Sequence, residues 1–327
     1  MMVVCLHTPM GKYAASIDDV RSAAKRIEGV GHRTPVLTNN TLNQMAGRNL
    51  FFKCENFQKV GAFKFRGGWN AVSILSENEA VKGVCTHSSG NHAQAVAYAA
   101  MMRGIPSYIV MPNNAPKVKL NAVKGYKAEI TLCEPTLEAR RTTLEDIAEK
   151  TGATIIHPFN NPNVIAGQGT AALELIEDVG NLDAVIAPIG GGGLMSGTCI
   201  TTRNLLPNAK LYGAEPKGAD DAYRSLKEGR MLPQKNPNTI CDGLLTGLGE
   251  NTWNILKDHL DAIYTVTDDE VIKAMRLIWE RMKIIIEPSC ATPVAVVLSD
   301  EFKALEGMEN IGIILTGGNV DLSKLPF

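Results

Sequence analysis

The chain has 327 residues, of which 45% are hydrophobic and 20% charged, and its formal net charge is −1. That is enough apolar sequence for a sizeable core in one large domain or two ordinary ones. The near-neutral charge excludes the electrostatic footprint of a nucleic-acid or anionic-membrane binder and leaves a small molecule as the expected ligand.

In chain order, residues 83–86 (GVCT) predict a strand and 93–102 (AQAVAYAAMM) a helix. Residues 106–112 (PSYIVMP) read as a strand, 117–126 as a helix, 128–134 (AEITLCE) as a strand, 137–152 as a helix and 153–159 (ATIIHPF) as a strand. A helix over 170–180 then precedes the strand 182–190 (LDAVIAPIG), and a helix over 196–208 precedes the strand 211–216 (LYGAEP). Val271, Met275, Ile278 and Met282 recur at helical spacing, and 312–318 (GIILTGG) is a late strand. Apolar strands alternating with helices indicate βαβ units and buried parallel sheet, so the class is α/β. No repeat or long linker appears, so two domains would have to be interleaved rather than tethered.

No apolar run reaches about 18 residues, so no membrane span is expected. The start, MMVVCLHTPMGKY, lacks a basic n-region and predicts no signal peptide. The seven cysteines are scattered without a C-x-x-C pair. They predict reduced thiols in a cytoplasmic protein rather than a zinc site or a disulfide framework.

Five constellations carry chemistry. Gly190, Gly191, Gly192 and Gly193 follow the strand 182–190 and precede a helix. Glycines at such a turn let amide N–H groups converge on an anion at the positive end of the helix dipole, which suits a phosphate, or they serve close packing or a flexible turn. The spacing is neither a Walker A loop nor a G-x-G-x-x-G fingerprint. Lys64, between Phe63 and Phe65, is a second candidate: burial there would favour the neutral amine that condenses with an aldehyde. Taken alone, the same lysine also reads as a surface residue laying its stem along apolar neighbours. Third, the donor-rich Thr86–His92 loop (THSSGNH) suits a carboxylate or a ring hydroxyl, or is an ordinary helix cap. Fourth, Thr316 to Asn319 closes a strand, and Glu287, after an apolar run, is either a paired structural anion or a site residue. Fifth, Glu215 and Asp221 in EPKGADD could hold a hard divalent cation, or form a solvated acidic turn.

In this order, the motifs GAFKFRGG, SSGNH, GGGGL, EPKGADDA and LTGGN resemble the serine racemase and threonine dehydratase family of fold-type II pyridoxal-phosphate enzymes. The resemblance runs from Arg33 to Leu322. It implies a tryptophan synthase β-like fold of two open twisted sheet domains, with the cofactor in the cleft. The small mobile domain is expected at 82–158, and the large domain at 1–81 and 159–327. No regulatory extension follows Phe327, so no large C-terminal allosteric module is expected.

By the same resemblance, Lys64 is the Schiff-base lysine, Phe63 lies beside the cofactor, and Gly190 to Gly193 with Leu194 form its phosphate cup. Asn91 matches the residue bonded to the ring hydroxyl. Ser88, Ser89, Asn91 and His92 match the substrate-carboxylate loop, and Arg140 matches a substrate-linked arginine. Thr316 matches the hydroxyl residue facing the pyridine nitrogen. A neutral hydroxyl there leaves the ring a weaker electron sink than an aspartate would, which disfavours transamination but allows proton exchange at Cα and loss of a β-hydroxyl. Ser89 supplies a hydroxyl opposite Lys64, the second acid/base that racemisation needs; dehydratases of this fold often have alanine there.

The implied activity is interconversion of L- and D-serine, with elimination to pyruvate and ammonia alongside. The alternatives are a dehydratase of threonine, serine or 3-hydroxyaspartate and, more remotely, a non-catalytic phosphate- or nucleotide-binding protein. Glu215, the Ala219 carbonyl and Asp221 match ligands of Mg²⁺ or Ca²⁺. Lys59, Gln94, Lys119, Tyr126 and Asn319 match an ATP effector site between subunits, although Asn39 and Asn40 stand where paired serines are expected and Arg21 where an acidic residue is. A homodimer is implied as well. Phe159 replaces an asparagine that lies near the cofactor in animal proteins, and that contact is not carried over.

Overall fold

The computed structural model describes residues 12–88, 90–115 and 117–327, the side chains of 117–119 excepted. The strands are β1 Val36–Leu37, β2 Asn49–Cys54, β3 Val84–His87, β4 Ser107–Pro112, β5 Glu129–Cys133, β6 Thr154–Ile155, β7 Ala184–Pro188, β8 Lys210–Pro216, β9 Ala262–Val266 and β10 Asn310–Leu315. They form two sheets, β1-β2-β10-β7-β8-β9 and β5-β4-β3-β6. Every pairing is parallel except the short antiparallel β1–β2 ladder.

Parallel strands buried on both faces show their side-chain alternation as two cores. Ile313 is in register with Ile186 on one side and Phe52 on the other. These three pack with Val271, Met275, Ile278 and Val294 on one face of the six-stranded sheet. Their chain neighbours Ile314 and Val185 point the other way, against Ile165, Leu175, Leu194 and Ile200. The four-stranded sheet has its own core around Val84, Val96, Ile109 and Met111.

Most strands and helices read from sequence appear with shifts of a few residues. The strand expected over 153–159 is only the two residues of β6, because the chain turns at His157–Pro158 to enter the site. The helix expected from 170 begins at Pro162, which sits in its first turn behind the Asn161 cap. Strands β1, β2 and β9 lie outside the expected elements: VL, NLFFKC and AIYTV are short and lack clean alternation.

The helix Lys64–Ser73 is anchored by a buried ionic cluster. Arg66, fully buried, donates from Nε and Nη2 to Glu55 (both 2.7 Å) and from Nη1 and Nη2 to Glu174 (both 2.7 Å). Lys53 reaches Glu174 at 2.6 Å. Two cations and two carboxylates so tie the helix to β2, to the turn after it and to the helix Pro162–Val179. A desolvated charge is tolerable only when matched like this.

Candidate active site

In open parallel sheets, loops at the carboxyl ends of the strands line the ligand crevice. The sequence-read motifs occupy those positions. Gly190–Gly193 follow β7, Thr316–Asn319 follow β10, the Ser88 loop follows β3, and Lys217–Asp221 follow β8.

Lys64 opens its helix with Phe63 before it. Its Nζ donates to the Pro158 carbonyl at 2.9 Å and lies 5.1 Å from the Phe63 ring centre. Burial lowers its amine from 10.5 to about 8, opposed by the negative charge of Glu287. Around it the imidazoles are neutral. Burial pushes His157 down to about 4 and His92 well below its ordinary value, with the Lys64 charge adding to both shifts. The Nδ1 of His157 accepts from Asn160 N (3.0 Å), which fixes the turn 157–160.

That turn joins the lysine to the glycines. Phe159, one residue after the Lys64 acceptor, lies flat against Gly191: a Cβ there would meet its ring at 2.2 Å, and one on Gly193 would meet the Phe159 Cβ at 2.9 Å. Gly192 adopts φ +85°, a left-handed conformation suited to glycine. Close packing and backbone geometry thus account for these three glycines, and the same geometry frees the amides. The helix Gly193–Leu205 begins here, and its first N–H groups, those of Gly193 and Leu194, have no acceptor within the helix. A phosphate at this end would meet those donors and the helix dipole.

Asn91 is held from both sides. Its Nδ2 donates to Glu287 Oε1 (2.8 Å), and its Oδ1 accepts from Asn319 Nδ2 (2.8 Å), which also donates to the Val60 carbonyl (2.7 Å). Nδ2 carries two hydrogens, so one remains for a ring hydroxyl. Thr316 is buried, and its carbonyl accepts from Phe63 N (2.9 Å). The enclosed amine, the glycine turn at a helix start, the held amide and the buried hydroxyl fit pyridoxal phosphate.

The remaining predicted residues divide. Ser88 Oγ accepts from Gly90 N at 3.2 Å within its turn, and Ser89 lies outside the described residues. The His92 ring is turned inward, with Nε2 on the Ile156 carbonyl (3.0 Å). Its Nδ1 and the Arg140 Nε are buried without a hydrogen-bond partner among the described residues.

Glu215 is fully buried and accepts from Ala222 N (3.2 Å) and Tyr223 N (2.7 Å). Asp221 accepts from Gln234 Nε2 (3.0 Å) and Leu248 N (3.1 Å). Burial, with mutual repulsion added for Glu215, raises that carboxyl well above its ordinary value, and burial brings Asp221 to about 6. A hard cation would offset that cost, so the pair fits one. Among the described residues, no group of three His, Cys, Asp or Glu side chains is placed to hold a metal, so a carbonyl such as that of Ala219 would have to complete the set.

Lys59 Nζ stands 5.8 Å from the ring centres of both Phe65 and Tyr98, and Tyr126 is 5.0 Å from Tyr98. Gln94 is buried on the helix Asn91–Arg103, Asn319 turns toward Asn91, and the Lys119 side chain lies outside the described residues. Sequence reasoning left Glu287 undecided and missed Pro158 and His157 as neighbours of Lys64. The HPF turn carries no spacing that would have marked it.

Comparison with known proteins agrees. The chain is 55% identical over 313 residues to a serine racemase of Dictyostelium discoideum, covering 95% of this chain and 96% of the relative. It is 50% identical to a beta-hydroxyaspartate dehydratase of Paracoccus denitrificans, covering 96% of this chain and 99% of the relative. The crystal structure of a Dictyostelium discoideum serine racemase superposes with a TM-score of 0.92, covering 94% of this chain and all of that one. Residues 27–317 match the family described as pyridoxal-phosphate dependent enzyme. With a half-buried lysine beside a glycine turn and relatives at this identity, the chain belongs to the pyridoxal-phosphate-dependent enzyme family.

Proposed function

We propose that this protein is a serine racemase that also dehydrates serine to pyruvate and ammonia. The observation that carries the reading is the Lys64 amine, lowered to about 8 and held on Pro158 beside the Phe159–glycine contact, in a chain 55% identical to a serine racemase. Pyridoxal phosphate, bound through Lys64 with its phosphate at Gly190–Leu194, supplies the electron sink that acidifies the substrate Cα–H.

Lys64, freed when the substrate amine takes its place, exchanges the α-proton on one face, and an amine brought down to about 8 by burial is a better-matched base than a free lysine. The Ser89 hydroxyl serves the opposite face. The loop Ser88, Asn91 and His92 receives the substrate carboxylate, and Arg140, whose Nε has no hydrogen-bond partner among the described residues, serves the same substrate. When the β-hydroxyl departs with a proton as water, elimination results. Residues 82–158 form the small domain, whose closure excludes water and brings Ser89 opposite Lys64. Mg²⁺ or Ca²⁺ at Glu215, Asp221 and the Ala219 carbonyl supports the fold around the site. A homodimer, an ATP effector near Lys59, Gln94, Lys119, Tyr126 and Asn319, and a cytoplasmic setting, favoured by the free cysteines, complete the reading.

The 50% identity to a beta-hydroxyaspartate dehydratase supports a second reading, a 3-hydroxyaspartate dehydratase with little racemisation. A chiral assay separates the two. With L-serine, D-serine should accumulate beside pyruvate. Ser89→Ala should abolish D-serine formation while elimination persists. Pyruvate without D-serine from the wild type, with faster turnover of 3-hydroxyaspartate, favours the second reading.

A further inference from the structure

The helix Glu250–His259 begins against the outer side of the glycine turn, and its third residue, Thr252, is fully buried there. Thr252 Oγ1 lies 2.8 Å from the Gly191 carbonyl and 3.0 Å from that of Gly249, and it accepts from Gly249 N at 3.0 Å. A hydroxyl has one proton to give, and Gly191 is the nearer acceptor.

The peptide joining Gly191 to Gly192 is planar and trans, so its C=O and N–H point in opposite directions. A Gly191 carbonyl fixed on Thr252 turns the Gly192 N–H away from the helix Glu250–His259. The Thr252 side chain also closes the space behind the turn. A Cβ on Gly192 would meet Thr252 Cβ at 2.9 Å and Leu248 Cδ2 at 3.0 Å. The next unit is fixed likewise, since the Gly192 carbonyl accepts from Ser196 N (2.8 Å), which directs the Gly193 N–H the other way.

The helix start is itself pinned. Asn251 donates from its backbone N to Asn160 Oδ1 (2.9 Å) and from Nδ2 to the Asn160 carbonyl (3.1 Å). The turn that presses Phe159 on Gly191 is thus joined to the helix that holds the Gly191 carbonyl.

We propose that Thr252 is a positioning residue for the cofactor phosphate: its hydroxyl orients the Gly191–Gly192 peptide so that the amides of the turn face the anion. This rests on the reading of Gly190–Leu194 as the phosphate cup. Thr252 touches neither substrate nor cofactor; it acts through the backbone.

The test compares two aldehydes on the full chain stripped of cofactor, pyridoxal phosphate and pyridoxal, followed by the absorbance of the bound ring. Thr252→Val keeps the shape and removes the hydroxyl. It should weaken pyridoxal phosphate by about tenfold, the usual consequence of a lost buried hydrogen bond, and leave pyridoxal unchanged. Thr252→Ser should keep both affinities. Equal weakening of both aldehydes, no weakening of either, or a phosphate-selective loss in Thr252→Ser overturns the proposal. Should Thr252→Val not fold, Thr252→Ala is read against Thr252→Ser by the same criterion. A wild-type chain that binds neither aldehyde at Lys64 is a different failure, that of the cofactor reading itself.

Discussion

The Lys64 amine stands at about 8 because burial penalises the ammonium, while Glu287 pulls the other way. Unfolding returns it to 10.5. Between those values the unfolded chain holds more protons than the folded one, so stability must rise with pH; below about 8 both states are protonated and the contribution is flat. For the cofactor-free protein we predict that unfolding free energy, measured by urea denaturation, rises by up to about 3 kcal/mol between these limits relative to Lys64→Met. Parallel curves for wild type and variant would show that the amine is not buried. At this scale the sequence was informative about identity and silent about surroundings. The flanking phenylalanines suggested an enclosed lysine, and one is present. Neither the Pro158 carbonyl nor the neutral His157 could be foreseen, because both arrive from 93–94 positions away through folding.

At the scale of elements, the glycine run and the acidic turn are strand-to-helix connections whose residues have two jobs each. Gly191 and Gly193 make room for Phe159 as well as opening a helix. The strand–glycine–helix pattern was visible in the sequence, but the packing partner was not, since a close approach between distant segments leaves no local signature. Glu215 ends β8 and accepts from the first helical turn after it, while Asp221 accepts from Leu248, next to the helix that carries Thr252. A cation holding both carboxylates would brace this region. Chelation with EDTA should therefore lower the melting temperature by roughly 5 °C, restored by Mg²⁺ or Ca²⁺, and Glu215→Gln should be insensitive to the chelator. Equal melting with and without chelator in the wild type contradicts the metal.

For the whole molecule, two sheets present their carboxyl ends to one region, although the strands of the larger sheet come from both flanks of the smaller. The alternating pattern made the α/β class and buried parallel strands legible. The sheet order was not, because β10 inserts between β2 and β7 from the far end of the chain, and no local propensity encodes that pairing. The buried Arg66 cluster was equally hidden: four charges that look solvated in sequence are matched in the core.

All of this geometry converges on one amine. Borohydride reduction of the holoenzyme followed by peptide mapping should find a single pyridoxyl group, on Lys64, with loss of the visible absorbance. A label on another lysine, or none on a protein that retains activity, would contradict the account.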